Sequence, residues 1–263
     1  MKTKVAVLGP EGTFTETAAR KLFKNPRITY MDDVEEVFKY VNSGKGMGVV
    51  AIENSLEGSV IKNLEALMEY DVKICDEITL DINLCLMKRK STKKIKNILS
   101  HPHALAQCKN HLRKRYPNAI LQASDSTTAA MKELSRLEDS AAIGQKEAAR
   151  KYGLEVVEKN VEDDRSQTRF IAISKKECSR KPEKTSIIFA VKDEPSSLYS
   201  VLRVFSDNKI NLTKIESRPS RKKLGEYVFY VDFENKGLEK KEVEGILLKI
   251  KERTTLLKNL GSY

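Results

Sequence analysis

Four times in the N-terminal half a short apolar run ends in a turn rich in hydroxyl groups, and an apolar pattern with helical spacing follows. Residues 5–8 lead through Gly9-Pro10-Glu11-Gly12 to a helix with Ala18, Ala19 and Leu22. Residues 47–52 lead through Glu53-Asn54-Ser55 to a helical run over 60–68, with Ser59 as its N-cap. Ile98-Leu99 precedes Ser100-His101-Pro102, where Pro102 suits the first turn of a helix carrying Ala104, Leu105 and Cys108. Residues 121–123 precede Ser124-Asp125-Ser126-Thr127-Thr128 and a fourth helix. Apolar runs this short, bounded by Gly, Pro and Ser, read as strands of a largely parallel sheet buried on both faces. Such a chain is α/β, and in an open α/β sheet these turns lie at the carboxyl ends of the strands, where ligands bind.

The first turn carries a further signal. Thr13-x-x-Glu16 has capping-box spacing, so a glycine turn is followed directly by a helix N-terminus, an arrangement that attracts anions. The Gly-Lys-Ser/Thr ending of a phosphate-binding P-loop is missing, and an ordinary strand-to-helix turn explains the spacing equally well. Residues 141–144 and 155–157 complete the pattern, with a helix over 145–152 closed by Gly153. The stretch Asp163 to Phe170 then enters the apolar run 170–173. There Thr168 sets a hydroxyl beside the Arg169 guanidinium, a pair able to donate a hydrogen bond and hold an anion.

Residues 175–184 are polar and basic, contain Pro182, and read as a linker. Beyond them a strand over 186–191 is followed by a helix starting at Pro195-Ser196-Ser197, a strand over 212–216, a strongly β-prone run over 227–233 and an amphipathic helix over 240–251. That order describes a small α+β domain.

The formal net charge of +11 invites a nucleic-acid reading. Lys and Arg are interspersed with Asp and Glu, and Trp is absent, so no basic arm or stacking platform stands out and no nucleic-acid partner is expected. No apolar run approaches the roughly 20 residues of a spanning helix, and the apolar run at residues 5–8 stops too early for a signal peptide. A cytoplasmic protein with no membrane partner is expected. Cys75, Cys85, Cys108 and Cys178 lack paired spacing and read as free thiols; His101, His103 and His111 lack companion ligands, so no metal is expected.

Gly9-Pro10-Glu11-Gly12-Thr13-Phe14-Thr15, Ile52-Glu53-Asn54-Ser55 with Gly58-Ser59, Ser100-His101-Pro102, Ser126-Thr127 and Thr168-Arg169-Phe170 together resemble monofunctional prephenate dehydratases. Ile215-Glu216-Ser217-Arg218-Pro219 resembles the phenylalanine-responsive ACT domain of the same enzymes. The resemblance covers essentially the whole chain. It implies a catalytic domain over residues 1–178, two-lobed like a periplasmic binding protein, with lobes at about 1–80 plus 160–178 and at 81–159. A ferredoxin-like βαββαβ ACT domain over 185–263 is implied after it.

The implied reaction converts prephenate to phenylpyruvate with loss of water and carbon dioxide, without a cofactor. Thr168 is the implied catalytic residue. Thr13, Thr15, Asn54, Ser55, Ser126, Thr127, Arg169 and Phe170 are the implied substrate contacts, with an ion pair to Asp163 or Asp164 as the alternative for Arg169. Phenylalanine is the implied effector, at Ser196, Ser197, Leu198, Asn211, Leu212, Glu216, Ser217, Arg218 and Pro219, in a homodimer or homotetramer. Four positions depart from the usual pattern: Ser166 replaces Asn, His103 replaces Gln, and Ser196-Ser197-Leu198 stands where Gly-Ala-Leu is usual. A non-catalytic sensor of small carboxylates with the same lobes is the rival reading.

Overall fold

The computed structural model describes residues 2–178, 182–220 and 226–263. The chain opens with β1 (Lys4–Leu8), α1 (Phe14–Leu22), β2 (Arg27–Met31), α2 (Val34–Asn42), β3 (Met47–Asn54), β4 (Gly58–Ser59), α3 (Ile61–Glu69) and β5 (Lys73–Asp81). Next come β6 (Cys85–Lys88), β7 (Asn97–Ser100), α4 (Pro102–Gln107), α5 (Lys109–Arg115), β8 (Ile120–Ala123), α6 (Thr127–Glu133), β9 (Ser140–Gly144), α7 (Lys146–Lys151) and β10 (Glu155–Lys159). The long strand β11 (Gln167–Ser174) leads to β12 (Lys184–Ala190), α8 (Ser197–Asp207), β13 (Leu212–Pro219), β14 (Tyr227–Glu234), α9 (Lys240–Lys251) and β15 (Leu256–Ser262).

Among the described residues three sheets result. The first has the order β2-β1-β3-β11-β5, with β4 paired to β3; the second runs β10-β6-β9-β7-β8; the third runs β13-β14-β12-β15. By its contacts the chain divides into two compact units. One comprises the segment ending at Val37, Gly48–Val60 and Ile78–Phe170; the other comprises Phe38–Met47, Ile61–Glu77 and the segment from Ile171 onward.

The second sheet shows why its strands form. On β6, β7 and β9, alternate residues turn to opposite faces. Leu86, Ile98, Ala141 and Ile143 meet Ala104 of α4, Leu112 of α5 and Cys108 between the two helices. Met87, Leu99 and Ala142 meet Ala130, Met131, Ala148 and Ala149 from α6 and α7. Both faces are covered, so the strands read as unbroken apolar runs. Leu86 is fully buried, and its truncation to Ala costs about 2–5 kcal/mol. Between the first two sheets the chain crosses twice, and the two crossings are bonded together: Ile82 N–H donates to Ser166 O at 2.7 Å and Val161 N–H to Leu84 O at 3.0 Å.

Three expectations need correction. Ser59 is no helix cap, because it lies in β4 opposite Glu53, which bends the chain back on β3 before α3 begins. The capping box is half fulfilled. Thr13 Oγ accepts from Glu16 N–H at 3.3 Å, but the Glu16 carboxylate accepts from Gly12 N–H at 2.7 Å, one residue before the cap. Finally, Cys75 and Cys178 are joined as a disulfide, 103 residues apart in sequence with Cα atoms 5.3 Å apart, whereas Cys85 and Cys108 are free and buried. Local spacing carries no trace of a pair that only the fold brings together.

The third sheet is antiparallel. Ile187 and Phe189 of β12 and Val231 and Phe233 of β14 face α8 and α9, packing on Val201, Val204, Phe205, Val243, Ile246 and Ile250. The edge strand β15, which pairs with β12, is the last strand of the implied βαββαβ order, although Leu256 to Ser262 has no alternation and carries Gly261. Among the described residues no helix is long and apolar enough to cross a membrane.

Candidate active site

The site begins where β3 ends. Asn54 Oδ1 accepts from Leu56 N–H at 2.9 Å and from Glu57 N–H at 3.1 Å, so the amide oxygen faces its own turn. Its Nδ2 therefore points the other way, and there it donates to Ser166 Oγ and Thr168 Oγ, both at 2.9 Å. The two backbone contacts fix which end of the amide is the donor. Ser55 locks the same edge: its N–H donates to Gln167 O at 2.8 Å, and its Oγ accepts from Gln167 N–H at 2.9 Å. Thr168 is thus held at the start of β11, 8% exposed, with its oxygen accepting on one side.

Strand alternation separates the Thr-Arg-Phe motif. Thr168 and Phe170 turn to one face of β11 and Arg169 to the other. Phe170 is 2% exposed, a core residue that presents no surface to a ligand. The Arg169 guanidinium lies 3.7 Å from Glu53. The expected partner Asp163 is engaged at α5, where its carboxylate accepts the N–H groups of Asn110 and His111, each at 2.8 Å.

A second group of predicted residues gathers around the β1–α1 turn. Gly12 adopts φ +95°, a conformation that L side chains rarely take, which explains the glycine. Its peptide is gripped at both ends. Gly12 N–H reaches Glu16, while Gly12 O accepts from Thr128 Oγ at 3.4 Å and from Gln145 Nε2. Thr13 caps α1, Thr15 is half-buried in its first turn, and Ser126 caps α6 by accepting from Ala129 N–H at 2.9 Å, with Thr127 next to it. Burial pushes the Glu16 carboxyl up, but hydrogen bonds from Gly12, Arg20 and Tyr30 outweigh it and hold the group below its ordinary value.

Sequence reasoning missed Gln145 and Thr128, which grip the Gly12 turn, and Glu57, whose N–H holds Asn54. Gln145 is 2% exposed at the end of the apolar run 141–144, and a polar residue at that strand-to-turn junction was the available signal. No group of three or more His, Cys, Asp or Glu residues suited to a metal ion occurs among the described residues.

Residues 5–178 match the prephenate dehydratase family and residues 185–244 the ACT domain. The chain belongs to the prephenate dehydratase family. A prephenate dehydratase from Methanocaldococcus jannaschii is 41% identical, over 97% of this chain and 95% of the relative. A bifunctional chorismate mutase/prephenate dehydratase from Aquifex aeolicus is 42% identical over 100% of this chain and 74% of its own length. The crystal structure of prephenate dehydratase in complex with L-Phe from Arthrobacter aurescens superposes with a TM-score of 0.89 at 30% identity, covering 99% of this chain and 89% of that one. As a prephenate dehydratase the chain is a carbon–oxygen hydro-lyase, with an α/β fold followed by an ACT domain.

The expected effector residues do not converge within the chain. Ser196 takes φ 66° ahead of Ser197, the first residue of α8, so a serine occupies a left-handed position that suits the glycine usual there. Leu198 and Leu212 lean on the core beneath α8 and α9, and Asn211 O accepts from Glu234 N–H at 3.0 Å. Ser217 opposes Phe229 on that same face, whereas Glu216 and Arg218 oppose Tyr230 and Val228 on the other. There Glu216 lies 3.3 Å from Lys214, and Arg218 and Pro219 line a cavity of about 740 Å³ with Glu65, Met68 and Glu69 of α3.

Proposed function

We propose that Thr168 donates its hydroxyl proton to the departing hydroxyl of prephenate. The observation that carries this reading is the amide of Asn54. Because Nδ2 donates to Thr168 Oγ, the threonine oxygen accepts on that side and its own proton points elsewhere. In the reaction the ring carboxylate leaves as carbon dioxide, the electron pair of that bond enters the ring, and the carbon–oxygen bond to the ring hydroxyl breaks. The leaving oxygen gains negative charge and takes the Thr168 proton to become water, and solvent returns a proton to the Thr168 oxygen. A donor fixed before the bond breaks stabilises that charge without reorganising. Ser166, where the family often has Asn, keeps a hydrogen bond to the same amide, so this departure preserves the arrangement. The gripped Gly12 turn, with Thr13, Thr15, Ser126, Thr127 and Ser55, is assigned to the substrate carboxylates, while Asn54 serves the site through Thr168.

The ACT domain is assigned to feedback by phenylalanine, on the strength of the domain match and of the relative whose structure holds L-Phe. Because Ser197 and Leu198 lie on one face and Glu216 and Arg218 on the other, a complete effector site needs residues from a second copy, and a homodimer or homotetramer is the assembly this reading requires.

Conversion of prephenate to phenylpyruvate by Thr168→Ala should fall by roughly 10²–10⁴-fold, the range for a lost acid–base contribution. Wild-type turnover in that variant removes Thr168 from the role. Calorimetry tests the second half: phenylalanine and a prephenate analogue should weaken each other's binding by the same factor, with a coupling of about 1–3 kcal/mol. Independent binding of the two would remove the feedback assignment.

A further inference from the structure

We infer that Glu57 is a positioning residue for this reaction, tying helix α4 to the turn that aims Asn54 at Thr168; the inference rests on the donor role assigned to Thr168. Two observations meet at its side chain. Glu57 Oε2 lies 2.7 Å from His103 Nδ1, and Oε1 accepts from Gln107 Nε2 at 3.3 Å. His103 and Gln107 stand four residues apart, on one face of α4, so a single carboxylate takes a donor from each end of that short helix. The backbone of the same residue faces inward, where Glu57 N–H donates to Asn54 Oδ1.

The result is one connected path. It runs from α4 through the Glu57 carboxylate and peptide to Asn54, and from Asn54 Nδ2 to Thr168 Oγ. Both ends are anchored. Ala104 and Cys108 root α4 in the core of the second sheet, and Asn54 ends a strand of the first. The His103 ring is held too: it stacks on His101 with centroids 5.1 Å apart, and His101 Nδ1 accepts from His103 N–H at 3.3 Å.

The side chains of His103 and Glu57 are 62% and 41% exposed. An exposed pair of this kind contributes little to stability. Its consequence is orientation, because releasing the carboxylate frees the turn whose N–H groups fix the Asn54 amide. The inference also gives the departure at position 103 a physical content. Glutamine, usual there, offers an amide donor where this chain offers a ring nitrogen, and either can serve the carboxylate.

The test uses the full-length protein, with kcat, KM for prephenate and melting temperature measured side by side. Glu57→Ala should lower kcat by about tenfold, short of the ~100-fold that a 1 Å misplacement can cost, with little change in KM or melting temperature. His103→Ala should lose part of the same rate and His103→Gln should recover it. In a Thr168→Ala background Glu57→Ala should cost nothing more, because the residue acts through the threonine. An unchanged kcat in Glu57→Ala, a rise in KM alone, a rate loss matched by a fall in melting temperature, or full additivity with Thr168→Ala overturns the inference and leaves the Thr168 role standing. Wild-type turnover in Thr168→Ala removes that role and this inference with it. Should Glu57→Ala not fold, the His103→Ala and His103→Gln pair carries the comparison.

Discussion

Asn54 Nδ2 donates to Thr168 Oγ at 2.9 Å, and the direction of that bond is fixed by two backbone N–H groups on the opposite end of the amide. Reversing it should be more damaging than its energy suggests. In Asn54→Asp both carboxylate oxygens accept, so the turn survives but Thr168 now donates its proton to the protein. A fall in kcat of about 10²–10³-fold with a much smaller change in KM is expected, comparable to removing a transition-state donor. Steady-state kinetics on the folded variant decide it, and retained kcat would mean that the amide only supports the turn.

Glu16 ties the Gly12 turn to α1, and its acid titration should be visible. Its folded pKa lies below the ordinary carboxylate value, so its contribution is complete above that value and is lost as pH falls through the lowered one. Glu16→Gln should destabilise by about 1–3 kcal/mol at neutral pH, the cost of weakening bonds to Gly12 N–H and Arg20. It should also flatten the acid limb of the stability curve. Parallel acid limbs for the two proteins, measured by denaturant unfolding, would show that Glu16 does not titrate in this range.

The Cys75–Cys178 disulfide closes a long loop between β5 and the segment after β11. Cys178→Ser should lower unfolding free energy by about 2–4 kcal/mol under oxidising conditions. With a strong reductant present the variant and the parent should unfold together. A difference that persists in reductant would assign the effect to packing around the sulfur.

Much of this architecture is legible in the residues. The apolar runs at 5–8, 47–52, 98–99 and 121–123 became β1, β3, β7 and β8, because strands covered on both faces, or ending in a capped helix, announce themselves by composition and punctuation. Pro102 opens α4 and Gly153 follows α7 at φ +62° for the same local reasons. What escaped depends on contacts across long separations. Asn54 and Thr168 are 114 residues apart, Gly12 and Gln145 133, and nothing in the flanking residues of either pair shows its partner. Arg169 and Phe170 adjoin Thr168 in the Thr-Arg-Phe motif that carries the family resemblance. A strand turns neighbours to opposite faces, which sends Arg169 to Glu53 and leaves Phe170 in the core.

The most direct measurement of the donor role compares Thr168→Ser with Thr168→Val at saturating prephenate. Serine keeps the hydroxyl on the oxygen that Asn54 holds, whereas valine keeps the shape and loses only the proton and its acceptor. A kcat for the serine variant within about tenfold of the parent, and for the valine variant roughly 10²–10⁴-fold below it at similar melting temperature, is expected. Equal rates in the two variants would contradict a proton supplied by Thr168.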